Sequence, residues 1–497
     1  MRVVVLFLCA LTLSAASILH AALPNVQSGQ WAASGNLQQA RSGAAAVLLP
    51  DGRLLITGGD VAGAPATSVE VLNPDGSFTA ATPMSVARSG HAAVLLATGD
   101  VLVTGGRTSG GGITNSAEVF DPTSNTWTAA PGMQEARAGH ATAQLPDYSI
   151  IIVGGVSSSG PVSAVERYSF WDGIFVHAGV LNHPRADAAV AVLGDWHVLV
   201  AGGTTIDAQG QSATTTLVEA FDPANGVSAD VVSLSSARAG ASATTLLDGR
   251  VAIIGGNNGA DDLASAEIYD PAAGAWSTVA GGTPRSRHLA VLLPSNNAVL
   301  LTGGTGGTAA DLFVPWANSN AGAYRATAPS LVSHSNGVAV PLSEEGLLLA
   351  GTGDSGPATE LYRFATVKTD KPDYAPGTIV TITGSGWQPG ETVTLTLVES
   401  PLADTHPALT AVADGNGNIF NDQFSPDSHD LHIRFFLTAS GSSSGLSAQN
   451  SFTDAGSMKY LPASQTLTAN AGGAAVNFTQ TVTGPGGNGN FTASLQV

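Results

Sequence analysis

Cysteine is almost absent from this chain of 497 residues, since the single one is Cys9, close to the N-terminus. One thiol cannot form a disulfide within the chain, which excludes the disulfide-stapled scaffolds of small secreted proteins. Basic residues are also few: 18 lysines and arginines stand against 37 aspartates and glutamates, and the formal net charge is -19. Because no basic cluster is present, the sequence predicts no binding to nucleic acid or to an anionic membrane surface.

Long apolar runs are confined to the start of the chain. Arg2 precedes an apolar core from Val3 to Leu13 and then small residues, a pattern that resembles a secretory signal peptide and is too short for a membrane span. We predict a signal peptide over residues 1–22, which leaves the cleavage position open and removes Cys9. The expected protein is exported without disulfides, secreted or held in a bacterial envelope, and has no later membrane span and no cofactor.

The stretch from Ala87 to Trp127 shows what the chain does contain. Its apolar runs and turn residues predict four antiparallel strands, at 92–96, 101–104, 117–120 and around Trp127. The first two strands are apolar at nearly every residue rather than alternating, so both of their faces must be covered. Neighbouring copies of the same unit must provide that cover.

Three markers recur along the chain about every 48 residues. A glycine pair ends each second strand, an arginine lies shortly before each first strand, and an acidic residue leads into each third strand. The glycine pairs begin at Gly58, Gly105, Gly154, Gly202, Gly255 and Gly303, and a degraded Gly351-Thr352-Gly353 follows. The arginines are Arg41, Arg88, Arg137, Arg185, Arg238 and Arg285, with His334 in the seventh place. The acids are Glu70, Glu118, Glu166, Glu219, Glu267, Asp311 and Glu360. Three independent markers with one period predict seven repeats.

Four-stranded units with this period are typical of a β-propeller. The paired glycines, an aromatic residue two positions after the acid as at Phe120, an Asp-Pro turn as at Asp121, and a fourth-strand tryptophan at Trp127 or Trp276 resemble the kelch repeat. The resemblance covers roughly residues 29–366 and implies a seven-bladed kelch-type β-propeller. The repeats are imperfect, because several blades lack the fourth-strand tryptophan.

The seventh repeat has no fourth strand of its own. Residues 29–37, GQWAASGNL, match the fourth strands NTWTAAPGM and GAWSTVAGG of other repeats. We predict that residues 29–37 complete the seventh blade and close the ring, as is usual in kelch propellers. Closure removes the open sheet edges that a propeller would otherwise expose.

Two further segments follow the repeats. Alternating runs such as TVTLTLV, separated by Pro-Gly turns, predict an antiparallel β-sandwich over residues 367–455. This segment resembles the immunoglobulin-like modules of exported bacterial proteins. Residues 456–497 begin another alternating run and are interpreted as the start of a further β module or a truncated tail. The predicted fold class is therefore all-β, a seven-bladed kelch-type β-propeller followed by an immunoglobulin-like β-sandwich.

The recurring polar residues are interpreted as structural. The arginine and the acid of each repeat should lie on the same face, because the second strand returns the chain there. Such pairs can hydrogen-bond to buried polar groups of the loops and fix the blade spacing. The alternative is a ring of charged residues that binds a ligand. His91, His140 and His288 share one register, but they fall in blades that are not all adjacent, so we predict no metal site.

Catalytic residues are not predicted. Kelch propellers joined to immunoglobulin-like domains also occur in copper radical oxidases, whose chemistry needs a tyrosine cross-linked to cysteine. A mature chain without cysteine excludes that activity. No Ser-His-Asp, Cys-His or carboxylate-pair spacing stands out in the sequence.

The connections after the glycine pairs vary most from repeat to repeat. Loops on a rigid scaffold are where recognition residues gather. The predicted ligand contacts are Arg107, Asp207, Asp261, Asp262 and Asp354. Solvated loops without a ligand are the alternative for any one of them.

The sequence thus favours an exported, non-catalytic binding or adhesion protein. It is expected to be a monomer that recognises a carbohydrate or protein ligand through its propeller loops. The alternative is a carbohydrate-active enzyme, an epimerase or lyase, with its site at the mouth of the propeller. Two or more titratable side chains within hydrogen-bonding reach at that mouth would favour the enzyme.

Overall fold

A computed structural model describes residues 27–454, apart from 74–75, 208, 335–336, 344–345, 354–355, 403, 428–429 and 431–432, together with the backbone of strands Val476–Gly484 and Gly487–Leu495. The predicted signal peptide and Asp354 lie outside the described residues. The described chain is nearly all β-strand and turn, which confirms the all-β class, and its helical elements are the short Gly304–Gly306 and Ala317–Asn320. It divides into two units after Phe364.

No helix among the described residues is both long enough and apolar enough to cross a membrane.

Among the described residues of the first unit, each of the seven repeats corresponds to one antiparallel sheet of four or five strands, and two two-stranded sheets lie in the connections. We number the repeat sheets 1 to 7 in chain order and call their main strands first to fourth. The strands of sheets 1 to 6 are Ala45–Leu48, Leu54–Thr57, Val69–Leu72 and Phe78–Ala81; Ala92–Leu95, Val101–Thr104, Ala117–Asp121 and Thr126–Ala130; Ala141–Gln144, Ile150–Val153, Gly160–Ser169 and Ile174–Arg185; Ala189–Val192, Val198–Ala201, Val218–Asp222 and Val227–Val231; Ser242–Thr245, Val251–Ile254, Ala266–Asp270 and Ala275–Val279; Leu289–Leu292, Val299–Thr302, Ala310–Val314 and Ala323–Ala326. Short strands decorate the connections at Asp60–Val61, Ala64–Pro65, Val156–Ser157, Thr204–Ile206 and Ser212–Thr214.

Sheet 7 combines both ends of the first unit. Its strands are, in spatial order, Val338–Ser343, Gly346–Gly353, Gly356–Arg363 and Trp31–Ala33.

Trp31 holds the outer strand of sheet 7 in place. Its ring lies 4.9 Å from that of Tyr362, and its indole N–H donates to the carbonyl of Ala328 at 2.8 Å. Trp127 of sheet 2 makes the same contacts, 4.9 Å from the ring of Phe120 and 2.8 Å to a backbone carbonyl. Residues 31–33 therefore occupy the position of a fourth strand.

The core of the first unit lies between neighbouring sheets. All four residues of every second strand in sheets 1 to 6 are buried, as the continuous apolar runs predict. One cluster joins Val47 and Leu55 of sheet 1 to Val103 and Phe120 of sheet 2. The first strands contact one another in a closed cycle in which sheet 7 returns to sheet 1. This arrangement is consistent with a β-propeller.

The second unit contains two packed antiparallel sheets. One has the strands Lys368–Thr369, Val380–Gly384 and Ile419–Phe424; the other has Leu409–Val412, Thr392–Ser400, Ile433–Gly441 and Ser447–Asp454. Buried and exposed residues alternate along Thr392–Ser400, and the inward residues of both sheets form one apolar cluster. Val476–Gly484 pairs with Gly487–Leu495 as a separate hairpin.

Candidate functional site

A buried ion pair lies at the same place in each of the first six sheets. The six pairs have N to O distances of 2.5 to 3.0 Å and arginine side chains that are at most 1% exposed. They are Arg41–Glu70, Arg88–Glu118, Arg137–Glu166, Arg185–Glu219, Arg238–Glu267 and Arg285–Asp311. In sheet 7, His334 lies 2.9 Å from Glu360 instead.

The pair in sheet 2 shows what these residues do. Arg88 donates to the carbonyls of Gly105 and Ser116 at 2.8 and 2.9 Å as well as to Glu118 at 3.0 Å. Glu118 in turn accepts the backbone N–H of Ser85 at 2.8 Å. Burial alone would raise the pKa of Glu118, but the hydrogen bonds from Ser85 and Arg88 hold it below its usual value. These contacts leave the pair engaged in joining loops, which supports the structural interpretation.

The three histidines of shared register also have separate structural partners. Each Nε2 lies 2.8 to 3.0 Å from a hydroxyl oxygen of the preceding sheet, and burial lowers each pKa to about 3. The pairs are His91 with Thr57, His140 with Thr104 and His288 with Ser242. The rings therefore stay neutral near pH 7 and bridge neighbouring sheets.

The residue two positions after each paired arginine belongs to a rim that we define by Gly43, Gly90, Gly139, Asp187, Gly240 and Arg287. All six have φ between 51° and 63°. Backbone bonds of 2.7 to 2.9 Å link Gly43 to Gly90, Gly90 to Gly139, Asp187 to Gly240 and Gly240 to Arg287. The backbone conformation is thus set by the repeat, whichever side chain is present.

Two rim positions carry charged side chains where the others have glycine. Arg287 Nη2 lies 2.9 Å from Asp187 Oδ2, with the side chains 66% and 37% exposed. The arginine stem crosses Gly240, where an added Cβ would lie 2.9 Å from Arg287 Cγ. A left-handed backbone costs such residues about 1–2 kcal/mol each, whereas an exposed ion pair returns about 0–1 kcal/mol. Stability therefore does not explain this pair.

Asp207 lies in the turn of the hairpin formed by Thr204–Ile206 and Ser212–Thr214. Its Oδ1 accepts the backbone N–H of Gln211 at 2.8 Å, so one carboxylate oxygen shapes the turn. Thr214 Oγ1 donates to the carbonyl of Asn258 at 2.9 Å. This contact places the loop of Asp207 against the loop that carries the two predicted aspartates of sheet 5.

Those two aspartates differ in burial. Asp261 is exposed, whereas Asp262 is half-buried and accepts Nδ2 of Asn257 at 2.9 Å. Burial alone would raise the pKa of Asp262, but hydrogen bonds from Thr305, Asn257 and Ser286 hold it below its usual value. Asn257 bridges to the residue before rim Gly240, and Ser286 precedes Arg287, so both aspartates lie beside the rim.

Arg107 lies elsewhere on the same end of the sheets. Its side chain is exposed, and its backbone bridges to Ser89, next to rim Gly90 in sheet 2. The structure thus brings the loops of Asp207, Asp261 and Asp262 together beside the charged rim pair, while Arg107 belongs to another part of the rim. We call Asp187, Arg287, Asp207, Asp261 and Asp262 the rim surface.

The rim pair was not predicted from the sequence. The available signal was the loss of glycine two residues after Arg185 and Arg285, within an otherwise regular motif.

A second surface lies at the opposite end of the sheets and was also missed. Tyr148 and Trp196 occupy turns between first and second strands at φ of 64° and 71°, where Gly52 and Gly99 are found in other sheets. Both rings are exposed, as is that of Trp171. We call Tyr148, Trp171 and Trp196 the aromatic surface. Bulky residues are rare in the left-handed conformation of Tyr148 and Trp196, so this surface is a second departure from the repeat.

Comparison with known proteins agrees with the repeat structure. The family model described as Kelch motif matches residues 87–134 and 237–282, which contain sheets 2 and 5. A solved structure titled "Structure of YjhT" is similar at 16% sequence identity and a TM-score of 0.45, over 59% of this chain and 99% of that chain. No curated protein matches the sequence. The chain carries the kelch motif at two places, which supports a kelch repeat protein.

Proposed function

We propose that this protein is a non-catalytic binding protein that recognises a protein or carbohydrate ligand through the rim surface. The observation that carries the proposal is the exposed Asp187–Arg287 pair, which is held at backbone positions where glycine would be less strained. Side chains kept against local strain concentrate at functional sites. Kelch propellers often mediate binding.

The proposal includes a seven-bladed propeller and an immunoglobulin-like second unit. The seven repeat sheets, the closed cycle of first strands and the pairing of Trp31–Ala33 with Gly356–Arg363 support the first. The two antiparallel sheets around one apolar core support the second. Export rests on the signal-like pattern of residues 1–22.

The chemistry of the rim surface favours binding over acid–base catalysis. The Asp187–Arg287 pair does place two ionisable groups within hydrogen-bonding reach. Arginine stays charged in proteins, however, so it does not exchange protons near neutral pH. Nearby, the pKa of His288 is about 3 and that of Asp262 is held below its usual value, far from the operating range of a general base.

The side chains of the rim surface suit polar ligands. Carboxylates accept hydrogen bonds from hydroxyl and amide groups, and a guanidinium donates several in one plane. A sugar or an exposed peptide segment presents such groups. The acidic excess of the chain disfavours strongly anionic ligands.

The test is binding of the purified chain to a glycan array and to candidate protein ligands, with product formation monitored. In the double variant Asp187→Ala, Arg287→Ala we expect at least a tenfold loss of affinity, because a charge-assisted contact contributes about 1.5–3 kcal/mol. The matched control is Asp51→Ala, Arg53→Ala, which removes an exposed pair of 2.7 Å at the opposite end of the sheets and should bind normally.

Three results would contradict the proposal. Product formation would show an enzyme. Equal ligand affinity of the unaltered protein and both double variants would show that the rim pair does not take part in binding. Loss of binding on substitution of Trp171 or Trp196 alone would place the ligand on the aromatic surface.

A further inference from the structure

Four side chains of the second unit converge beside the end of strand Thr392–Ser400. They are Glu399, Asp404, His406 and Asp430, and one ligand atom from each lies within 4.8 Å of the others. Two of these carboxyl groups are buried, since Glu399 is 4% and Asp430 is 1% exposed. Buried carboxylates require compensation by hydrogen bonds, protons or a cation.

The contacts within this cluster centre on His406. Its Nε2 lies 2.7 Å from Oε1 of Glu399 and 3.2 Å from Oδ1 of Asp404. Glu399 Oε2 also accepts the backbone N–H of Asp404 at 2.7 Å. The imidazole packs edge-on against Phe424, with ring centroids 5.1 Å apart, which fixes its orientation. His406 is therefore held by the carboxylate of Glu399 and by the ring of Phe424.

Asp430 supplies an independent sign of a ligand. Its Oδ2 accepts the backbone N–H of Asp427 at 2.7 Å, but its buried Oδ1 accepts no hydrogen bond from any described residue. A buried acceptor without a donor is costly, and each such case needs an explanation.

We propose that Glu399, Asp404, His406 and Asp430 bind a divalent transition-metal ion, with Zn²⁺ as the best chemical match. Zinc takes imidazole nitrogen and carboxylate oxygen in a tetrahedral set with bonds of about 2.0–2.2 Å, which places ligand atoms about 3.3 Å apart. The separations of 2.7 and 3.2 Å from His406 Nε2 lie near that value, and all the ligand atoms lie within 4.8 Å of one another, so binding needs only small side-chain movements. Calcium and magnesium prefer oxygen ligands alone, so His406 disfavours them.

A second group of possible metal ligands, in the first unit, has similar residue types but is already occupied by an ion pair. His183, Glu219 and Asp230 also lie close together. Glu219 already has a cationic partner, because the buried guanidinium of Arg185 donates to its Oε1 at 2.5 Å, and the hydroxyl of Ser228 donates to its Oε2 at 2.6 Å. This group is therefore part of the structural ion pair of sheet 4 and serves as the internal control.

A bound ion would join three separate segments of the second unit. Glu399 ends a strand, Asp404 and His406 belong to the following loop, and Asp430 precedes strand Ile433–Gly441. Four protein ligands and no open position are typical of a structural zinc site. Binding to the folded form alone would stabilise the second unit.

The test uses the full chain, treated with chelator, dialysed and titrated with ZnCl₂ in a calorimeter, with CaCl₂ as a parallel titrant. We expect one zinc ion per chain, a higher thermal midpoint in the presence of zinc and little response to calcium. Asp430→Asn and Asp404→Asn should each weaken zinc binding by more than about tenfold, since even indirect ligands contribute that much. Asp230→Asn is the matched control and should bind zinc as the unaltered chain does.

The proposal is overturned if the unaltered chain binds no zinc, because the four side chains then do not form a zinc site. It is also overturned if Asp404→Asn binds zinc normally, or if Asp230→Asn abolishes binding. If Asp430→Asn does not fold, Asp404→Asn still tests the proposal. The Asp404 side chain is 50% exposed, so its substitution leaves the core intact.

Discussion

Replacing Glu267 by glutamine should destabilise the first unit by about 3–5 kcal/mol, the usual cost of breaking a buried ion pair. The substitution keeps the shape of the side chain but removes its charge. Arg238, which lies 3.0 Å away and is 1% exposed, would remain buried and charged. The backbone N–H of Ser235, now donating to Glu267 at 2.6 Å, would face an amide in place of a carboxylate oxygen.

Hydrogen exchange measures this effect without interference from the second unit. The amides of Val251–Ile254 lie at the centre of the same sheet and report its opening. A loss of 3–5 kcal/mol should accelerate their exchange by about two to three and a half powers of ten. The matched control is Asp248→Asn, which breaks the 2.7 Å pair with Arg250 at the sheet end and should cost less than about 1 kcal/mol.

Equal exchange in Glu267→Gln and Asp248→Asn would refute the reasoning. The repeated pairs would then contribute little to stability, and the alternative in which they form a ring of ligand-binding charge would have to be reopened.

Three further changes test other parts of the first unit. Lowering the pH from 7 to 5 should reduce the free energy of unfolding by about 2 kcal/mol through His91, because its pKa is about 3 in the folded protein and 6.5 in the unfolded chain. This contribution is complete above pH 6.5 and is lost as the pH falls from 6.5 to 3. In urea unfolding, His91→Gln should reduce the dependence of the unfolding free energy on pH by about one proton. Gly105→Ala should lower the thermal midpoint clearly more than Gly139→Ala, since an added Cβ would lie 2.4 Å from a carbonyl oxygen at Gly105 and more than 4 Å from any atom at Gly139; equal effects would leave only the shared backbone strain. Asp187→Gly with Arg287→Gly should leave the free energy of unfolding unchanged or raise it, because relief of about 1–2 kcal/mol of strain at each residue exceeds the about 0–1 kcal/mol of the lost ion pair; a loss of stability in urea titrations would assign the pair a structural role.

The regular part of the fold could be predicted because each marker has a local cause. Gly105 has φ of 62° and lies against the carbonyl of Arg137 in the next sheet, so only glycine fits. Arg88 reaches that glycine's own carbonyl, 17 residues away in sequence, and the same spacing recurs at other repeats. Each of these contacts depends on a fixed spacing in sequence, and the repeat period makes that spacing visible.

The candidate site could not be predicted in the same way. Asp187 and Arg287 lie 100 residues apart in sequence, on sheets 4 and 6, and meet across the glycine of sheet 5. Asp430 joins Glu399 and His406 through the packing of a unit without repeats. Pairs of this kind follow from tertiary structure, which periodicity does not encode.

Departures from the repeat are nevertheless informative where the backbone is constrained. Tyr148, Asp187, Trp196 and Arg287 all adopt left-handed φ of 51° to 71° at positions where several other repeats have glycine. Each costs about 1–2 kcal/mol relative to an unstrained residue, and together they approach the whole stability margin of a typical domain. None is buried, so packing does not return that energy. These four side chains add strain without adding to the stability of the fold, so they are the first residues to test for ligand contact. They come ahead of exposed loop residues such as Arg107, whose backbone is unstrained.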